Sequence, residues 1–225
     1  MPTNVIMTGA TGMIGQGVLQ ECLKSPEVAS VLVITRSPTG VRHRKLRELI
    51  HSNFYDWSSV SSQLTGYDAC FFCLGTSALG KSEKQYAHVT YSLTVLLAAT
   101  LQPLNPGMTF VYVSGMGTDS SERGNIMWAR VKGETENAIL NMGFADAYAF
   151  RPGMVFPEGE IQSRTSWYRA LYTLMRPFYP WLKRFTFATT TSRVGQAMIW
   201  LAIHGDARKH IENNDINRLA QLSAG

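Results

Sequence analysis

Along most of the chain, short runs rich in β-branched residues alternate with longer stretches whose apolar side chains recur every three or four positions. The first kind predicts strands at residues 4–8 (NVIMT), 31–35 (VLVIT), 69–74 (ACFFCL), 109–114 (TFVYVS) and 146–151 (DAYAFR), with a weaker one near 53–55. The second kind predicts helices in QGVLQECLKS (16–25), RHRKLRELIHS (42–52), QYAHVTYSLTVLLAATLQ (85–102) and WARVKGETENAILNMG (128–143), the last stopped by Gly143. Strand and helix in strict alternation imply an α/β fold with a parallel sheet wrapped by helices. From Arg151 the rhythm changes. Pro and Gly punctuate RPGMVFPEGE, an aromatic and basic segment follows, and the chain finishes in helical patterns. The expected architecture is one Rossmann-type doubly wound sheet of six or seven strands over residues 1–225. Its core is placed at about 1–151, with a small helical cap and C-terminal helices over about 152–225.

Composition changes this picture little. With 45% hydrophobic and 16% charged residues, the 225-residue chain has ample material for a packed core. Three cysteines leave no even framework, and Cys70 and Cys73, three apart on a strand, point to opposite faces and make a poor zinc or redox pair. The five histidines share no ligand spacing with Cys, Asp or Glu, so no metal is expected. The N-terminus runs directly into the first strand, and no window approaches the roughly 20 apolar residues of a spanning helix, so the protein is expected in the cytoplasm.

Gly9, Gly12 and Gly15, in VIMTGATGMIGQG, fall between a predicted strand and a predicted helix. There the first glycine permits a tight turn, the second lets backbone approach a pyrophosphate, and the third lets helix pack on strand. Phosphates would sit at the helix N-terminus, where free N–H groups favour negative charge. At the end of the second strand, where an acidic residue would accept ribose hydroxyls, the chain reads Arg36 and Ser37. A guanidinium there suits the 2′-phosphate of NADP, so NADP (NADPH) is expected and NAD is the lesser choice. Arg42 and Arg44 either extend this basic patch or lie on a solvated helix face.

The G-x-x-G-x-x-G spacing of TGATGMIG resembles the short-chain dehydrogenase/reductase superfamily, and VKGETE and IENNDINRLA resemble its small atypical members around the Tat-interacting-protein branch, loosely called epimerases. The resemblance implies cofactor contacts from Gly9, Thr11, Gly12, Met13, Ile14, Gly15, Arg36 and Ser37. It adds Asp56 at the adenine, Leu74, Gly75 and Thr76 at the adenosine ribose, Lys132 at the nicotinamide ribose, and Pro152 and Gly153 beside the nicotinamide. It also implies Ser114 and Lys132 as catalytic residues. The superfamily's general acid is a tyrosine four residues before the lysine, but this chain has Trp128, whose indole offers an N–H donor and no accessible proton equilibrium.

Two functions compete. One is an NADP(H)-dependent oxidoreductase acting on a small carbonyl compound or sugar nucleotide, its proton supplied by water, Ser114, Tyr86 or Tyr91. The other is a catalytically silent NADP(H)-sensing or protein-interaction module. Trp128, Tyr91, Met154 and Tyr168 are expected to line the pocket. The segment 164–185, broken by Pro177 and Pro180, is expected to cap that pocket as a lid or to pack in a homodimer, with contact to a membrane surface ranked second. A small-molecule substrate is expected as partner, and nucleic acid is not.

Overall fold

A computed structural model describes residues 2–158 and 187–223. The expectations for 164–185, with Tyr168, Pro177 and Pro180, fall outside the described residues. Seven strands form one parallel sheet in the order β3-β2-β1-β4-β5-β6-β9. They are β1 (Thr3–Thr8), β2 (Val28–Thr35), β3 (Leu46–Ile50), β4 (Ala69–Phe72), β5 (Thr109–Val113), β6 (Asp146–Arg151) and β9 (His210–Glu212). A second, two-stranded parallel sheet pairs β7 (Met154–Phe156) with β8 (Ala188–Thr190). The helices are α1 (Met13–Lys24), α2 (Glu83–Ala87), α3 (Leu93–Leu104), α4 (Met127–Leu140), α5 (Thr191–His204) and α6 (Asn213–Ser223).

Alternation along each strand sends side chains to two separate cores. Val5, Met7, Val31, Val33, Phe71 and Phe150 face α1 and α5, where Val18, Leu19, Val194 and Met198 meet them. Ile6, Leu32, Ile34, Phe72, Phe110 and Tyr112 face the other way, against Leu97, Leu101 and Ile139 of α3 and α4. Cys70 belongs to this second core while Cys73 packs against the first, as their spacing requires, and all three cysteines are free. Burial pushes the thiol of Cys73 up to about 12. The C-terminal helices α5 and α6 pack on each other and on the α1 side of the sheet.

The helix expected over 42–52 does not form, and neither does the strand near 53–55. Residues 46–50 pair instead as the edge strand β3, with Val31 opposite Leu46 and Thr35 opposite Ile50. Leu, Arg and Glu favour helices locally, but pairing with β2 and burial of Leu49 outweigh that preference. Arg42 and Arg44 therefore lie in a loop, not on a helix face. Residues 53–57 form turns that place Phe54 and Trp57 in the second core. The helix read over 85–102 exists as α2 and α3, joined by a π-turn at His88–Ser92. A capping box between Ser82 and Gln85 starts it.

The order of strands reverses between β1 and β4. Chain connections leave these neighbours in opposite directions, which opens a crevice at their carboxyl ends.

Candidate functional site

The floor of that crevice is the turn from β1 into α1. Gly9 takes φ +72°, a left-handed conformation that a side chain would strain, and its carbonyl accepts the Gly12 N–H at 2.9 Å. A β-carbon at Gly9 would come within 2.4 Å of the Cys73 backbone, and one at Gly15 within 2.1 Å of the Gly9 oxygen. The glycines thus let β1, β4 and α1 converge. No side chain caps the first turn of α1 and no acidic residue occupies it, so its amides face the crevice uncompensated.

The cleft measures about 900 Å³ and runs from this turn to α4. One end is formed by Gly12, Met13, Ile14 and Gly15, the middle by Cys73, Leu74, Gly75 and Thr76, and the far end by Ser114, Trp128, Lys132, Gly153 and Met154. A β-carbon at Gly75 would meet open space, so backbone alone shapes that part of the wall. Tyr86 lines the cleft, whereas Tyr91 is not among its lining residues. An ion pair of 2.8 Å between Arg130 and Glu83 ties α4 to α2, the helices that carry Trp128 and Tyr86.

Other expected residues lie off the cleft. Thr11 borders a smaller hollow of about 230 Å³ with Gln16, Thr39 and Val41. Arg36 and Ser37 are exposed just past β2, on a loop tethered where Glu48 of β3 accepts hydrogen bonds from the Thr39 N–H, at 2.9 Å, and from its hydroxyl. Among the described residues Arg36 has no ion-pair partner. Asp56 is exposed and accepts the Ser58 N–H at 2.9 Å, and hydrogen bonds from Ser58 hold its carboxyl below the usual carboxylate range. The Pro152 carbonyl accepts the Met116 N–H at 2.9 Å.

At the far end, Lys132 and Trp128 share one face of α4, one helical turn apart. The Lys132 ammonium donates to the Ser114 carbonyl, and burial brings its pKa down to about 8, with the Glu136 carboxylate acting in the opposite direction. The Ser114 hydroxyl points inward: its one proton is shared between Glu136 Oε1 and, at 3.0 Å, the Phe150 carbonyl.

Sequence reasoning missed what holds Ser114. Glu136, one helical turn after Lys132, is wholly buried and clamped by Arg151 of β6, through Nε at 3.0 Å and also through a terminal nitrogen. Arg151 reaches on to Glu212 of β9 at 3.1 Å and to Ser120, and His210 lies 3.6 Å from Glu136. Asn213, at the start of α6, was also missed. Its Oδ1 accepts the Gly153 N–H at 2.9 Å and its Nδ2 donates to the Ala188 carbonyl at 3.1 Å, which fixes the lip of the cleft carrying Gly153 and Met154. Among the described residues no group of three or more His, Cys, Asp or Glu could hold a metal ion, and no helix is long and apolar enough to cross a membrane.

A parallel sheet with a glycine turn and a crevice at its switch point defines a nucleotide-binding α/β protein. Comparison with known proteins places it more closely. Residues 5–121 match the model of the NAD dependent epimerase/dehydratase family, and the chain belongs to that family. It is 32% identical over 158 residues to "Protein fmp52-1, mitochondrial" of Aspergillus terreus, covering 68% of this chain and 66% of the relative. It is 31% identical over 164 residues to "Protein fmp52, mitochondrial" of Aspergillus clavatus, covering 70% and 68%. The matched stretch thus spans about two thirds of each relative. The Bordetella bronchiseptica enzyme WbmF in complex with NAD+ shares the fold at a TM-score of 0.68 and 15% identity, over 99% of this chain and 78% of that one. The PhqB reductase domain of Penicillium fellutanum does so at 0.69 and 16%, over 93% and 66%. The expectation of a cytoplasmic protein is overturned: these curated relatives carry mitochondrial names, as does the Candida albicans relative, 27% identical over 159 residues.

Proposed function

We propose that the cleft binds a nicotinamide dinucleotide, with NADP(H) preferred, and serves reduction of a small carbonyl compound. The observation that carries this reading is one continuous cleft with an uncapped helix N-terminus at one end and a half-buried lysine at the other. The residues fit such a cofactor. Gly12 to Gly15 would cradle the pyrophosphate with backbone amides, Leu74, Gly75 and Thr76 would flank the adenosine ribose, and Lys132 and Gly153 would hold the nicotinamide end. Gly9 acts beneath this cradle as the turn that shapes it, and Arg36 with Ser37 would meet the 2′-phosphate. Asp56 near the adenine, Thr11 beside the loop and Pro152 behind the nicotinamide complete the proposed shell. A bound reduced dinucleotide would supply hydride.

The substrate end is walled by Ala78, Leu79, Met127, Trp128, Met154 and Val155, and Lys132 is the one charged residue lining the described cleft. That wall favours a carbonyl carried on an apolar or aromatic body over a sugar nucleotide. A mitochondrial location follows from the relatives' names as part of the same proposal.

Calorimetric titration of the nucleotide-stripped protein tests the reading. NADPH is expected to bind at least tenfold tighter than NADH, and Arg36→Glu is expected to weaken NADPH far more than NADH. Equal losses would sink the preference. Trp128, where a phenol would stand, favours a second reading as a silent NADP(H) sensor. That reading gains if the wild type binds NADPH, turns over no aldehyde or ketone, and acquires turnover on Trp128→Tyr.

A further inference from the structure

Resting on the reductase reading, we propose that Lys132 is itself the proton donor of carbonyl reduction, giving a proton from Nζ directly to the substrate oxygen. Among the described residues that line the cleft, the other donors fall away one at a time. Trp128 cannot supply a proton, because an indole N–H is not an acid in water. The Ser114 hydroxyl already spends its single proton on Glu136 and the Phe150 carbonyl, both on the protein side. Tyr86 and Cys73 line the cleft as well, but burial raises both pKa values, that of Cys73 to about 12, which leaves each a weaker acid than the Lys132 ammonium. Thr76 and Ser77 are plain alcohols. Among the described residues that line the cleft, Lys132 alone combines a position on its wall with N–H bonds beyond the one given to the Ser114 carbonyl.

The groups around it tune this ammonium as an acid. Burial between β5 and α4 favours loss of its proton, while Glu136 on the same helix opposes that loss. Arg151 from β6 neutralises Glu136 through its clamp, with His210 from β9 a further 3.6 Å neighbour of that carboxylate, so the lysine gets less support than a free carboxylate would give. Tyr86 from α2 and Cys73 beyond β4 border the cleft as neutral groups at physiological pH. An acid with pKa about 8 is charged near neutrality and still gives its proton readily, which is the condition for efficient general acid catalysis. A bound reduced dinucleotide would supply the hydride that reduces the carbonyl carbon and would itself be oxidised. One Nζ–H bond breaks as the substrate O–H bond forms, and the neutral amine regains a proton from water.

The test couples a titration with a rate. Competitive acetylation of nucleotide-free full-length protein by trace acetic anhydride across pH, read peptide by peptide in a mass spectrometer, reports the Lys132 protonation midpoint without turnover. NADPH-dependent reduction of 4-nitrobenzaldehyde is followed over the same range. Lys132 is expected to titrate near pH 8, and the reduction rate to fall about tenfold per pH unit above that midpoint. Lys132→Arg keeps the charge at the nicotinamide end but holds its proton at all accessible pH, so at NADPH concentrations that calorimetry shows to be saturating for the variant it is expected to lose at least about 100-fold in rate. Titration of Lys132 together with the exposed lysines, or a Lys132→Arg enzyme within tenfold of wild type, would overturn the assignment. A wild type that binds NADPH but reduces nothing would overturn the reductase reading and this one with it. Acetylation distinguishes that outcome from a failure of Lys132 alone.

Discussion

Two glycines of one motif do different work at the scale of the residue. A methyl group at Gly15 collides with the Gly9 oxygen at 2.1 Å, whereas at Gly12 it meets only that oxygen, at 3.3 Å, and otherwise faces the cleft. Gly15→Ala is therefore expected to cost about 1–3 kcal/mol as overpacking. Gly12→Ala is expected to fold within about 1 kcal/mol of the parent yet lose NADPH at least tenfold. Urea unfolding beside calorimetry separates the two, and equal destabilisation would refute the division. Lys132 gives a second expectation, with a definite sign. Its folded pKa lies near 8, below the unfolded value of 10.5, so between those pH values the unfolded chain binds more protons and stability rises with pH. Relative to Lys132→Met, the wild type is expected to gain up to about 3 kcal/mol over that window, and a flat difference would show that the lysine is solvated in the native state. Trp128 and Lys132 were legible as a pair because a helix carries four-residue spacing directly into space. Glu136 was not legible, because nothing in a helical sequence distinguishes a buried carboxylate from a solvated one when its partner stands on another element.

Elements explain the rest of that failure. The clamp Glu136–Arg151 joins α4 to β6 and, through Glu212, to β9, and by holding the Ser114 hydroxyl it also fixes the end of β5 beside the cleft. Arg151→Met would leave the Glu136 carboxylate buried with its guanidinium removed, which is expected to cost about 3–5 kcal/mol. Glu136→Met combined with Arg151→Met is expected to recover most of that loss, because the desolvation cost leaves with the charges. A double-mutant cycle in urea measures this, and additive losses would mean that the two residues do not act as a unit. The same contrast between local and non-local information governs β3. LRELI has helical composition, and only β2, already in the sheet, makes it a strand. The central strands β1, β4 and β5 were legible because continuous apolar runs buried on both faces admit few other structures.

For the whole molecule, the reversal of strand order between β1 and β4 puts the cleft at the meeting of two half-sheets, so a ligand there bridges α1, the β4 turn and α4 at once. A dinucleotide that touches all three binds the native state and cannot bind the unfolded chain, which makes global stability a readout of occupancy. At one hundred times its Kd, NADPH is expected to add about 2.7 kcal/mol. For a chain of this size that corresponds to a rise in Tm of about 5–10 °C. At the same concentration NADH is expected to give a smaller rise, since the exposed Arg36 beyond β2 offers its charge to a 2′-phosphate that NADH lacks. Arg36→Glu should bring the two curves together by lowering the NADPH shift while leaving the unliganded Tm within about 2 °C, because the side chain it removes is exposed and makes no ion pair among the described residues. If neither nucleotide moves Tm in a protein that unfolds cooperatively, the glycine turn and the cleft do not form a dinucleotide site, and the close approach of α1 to β1 serves packing alone.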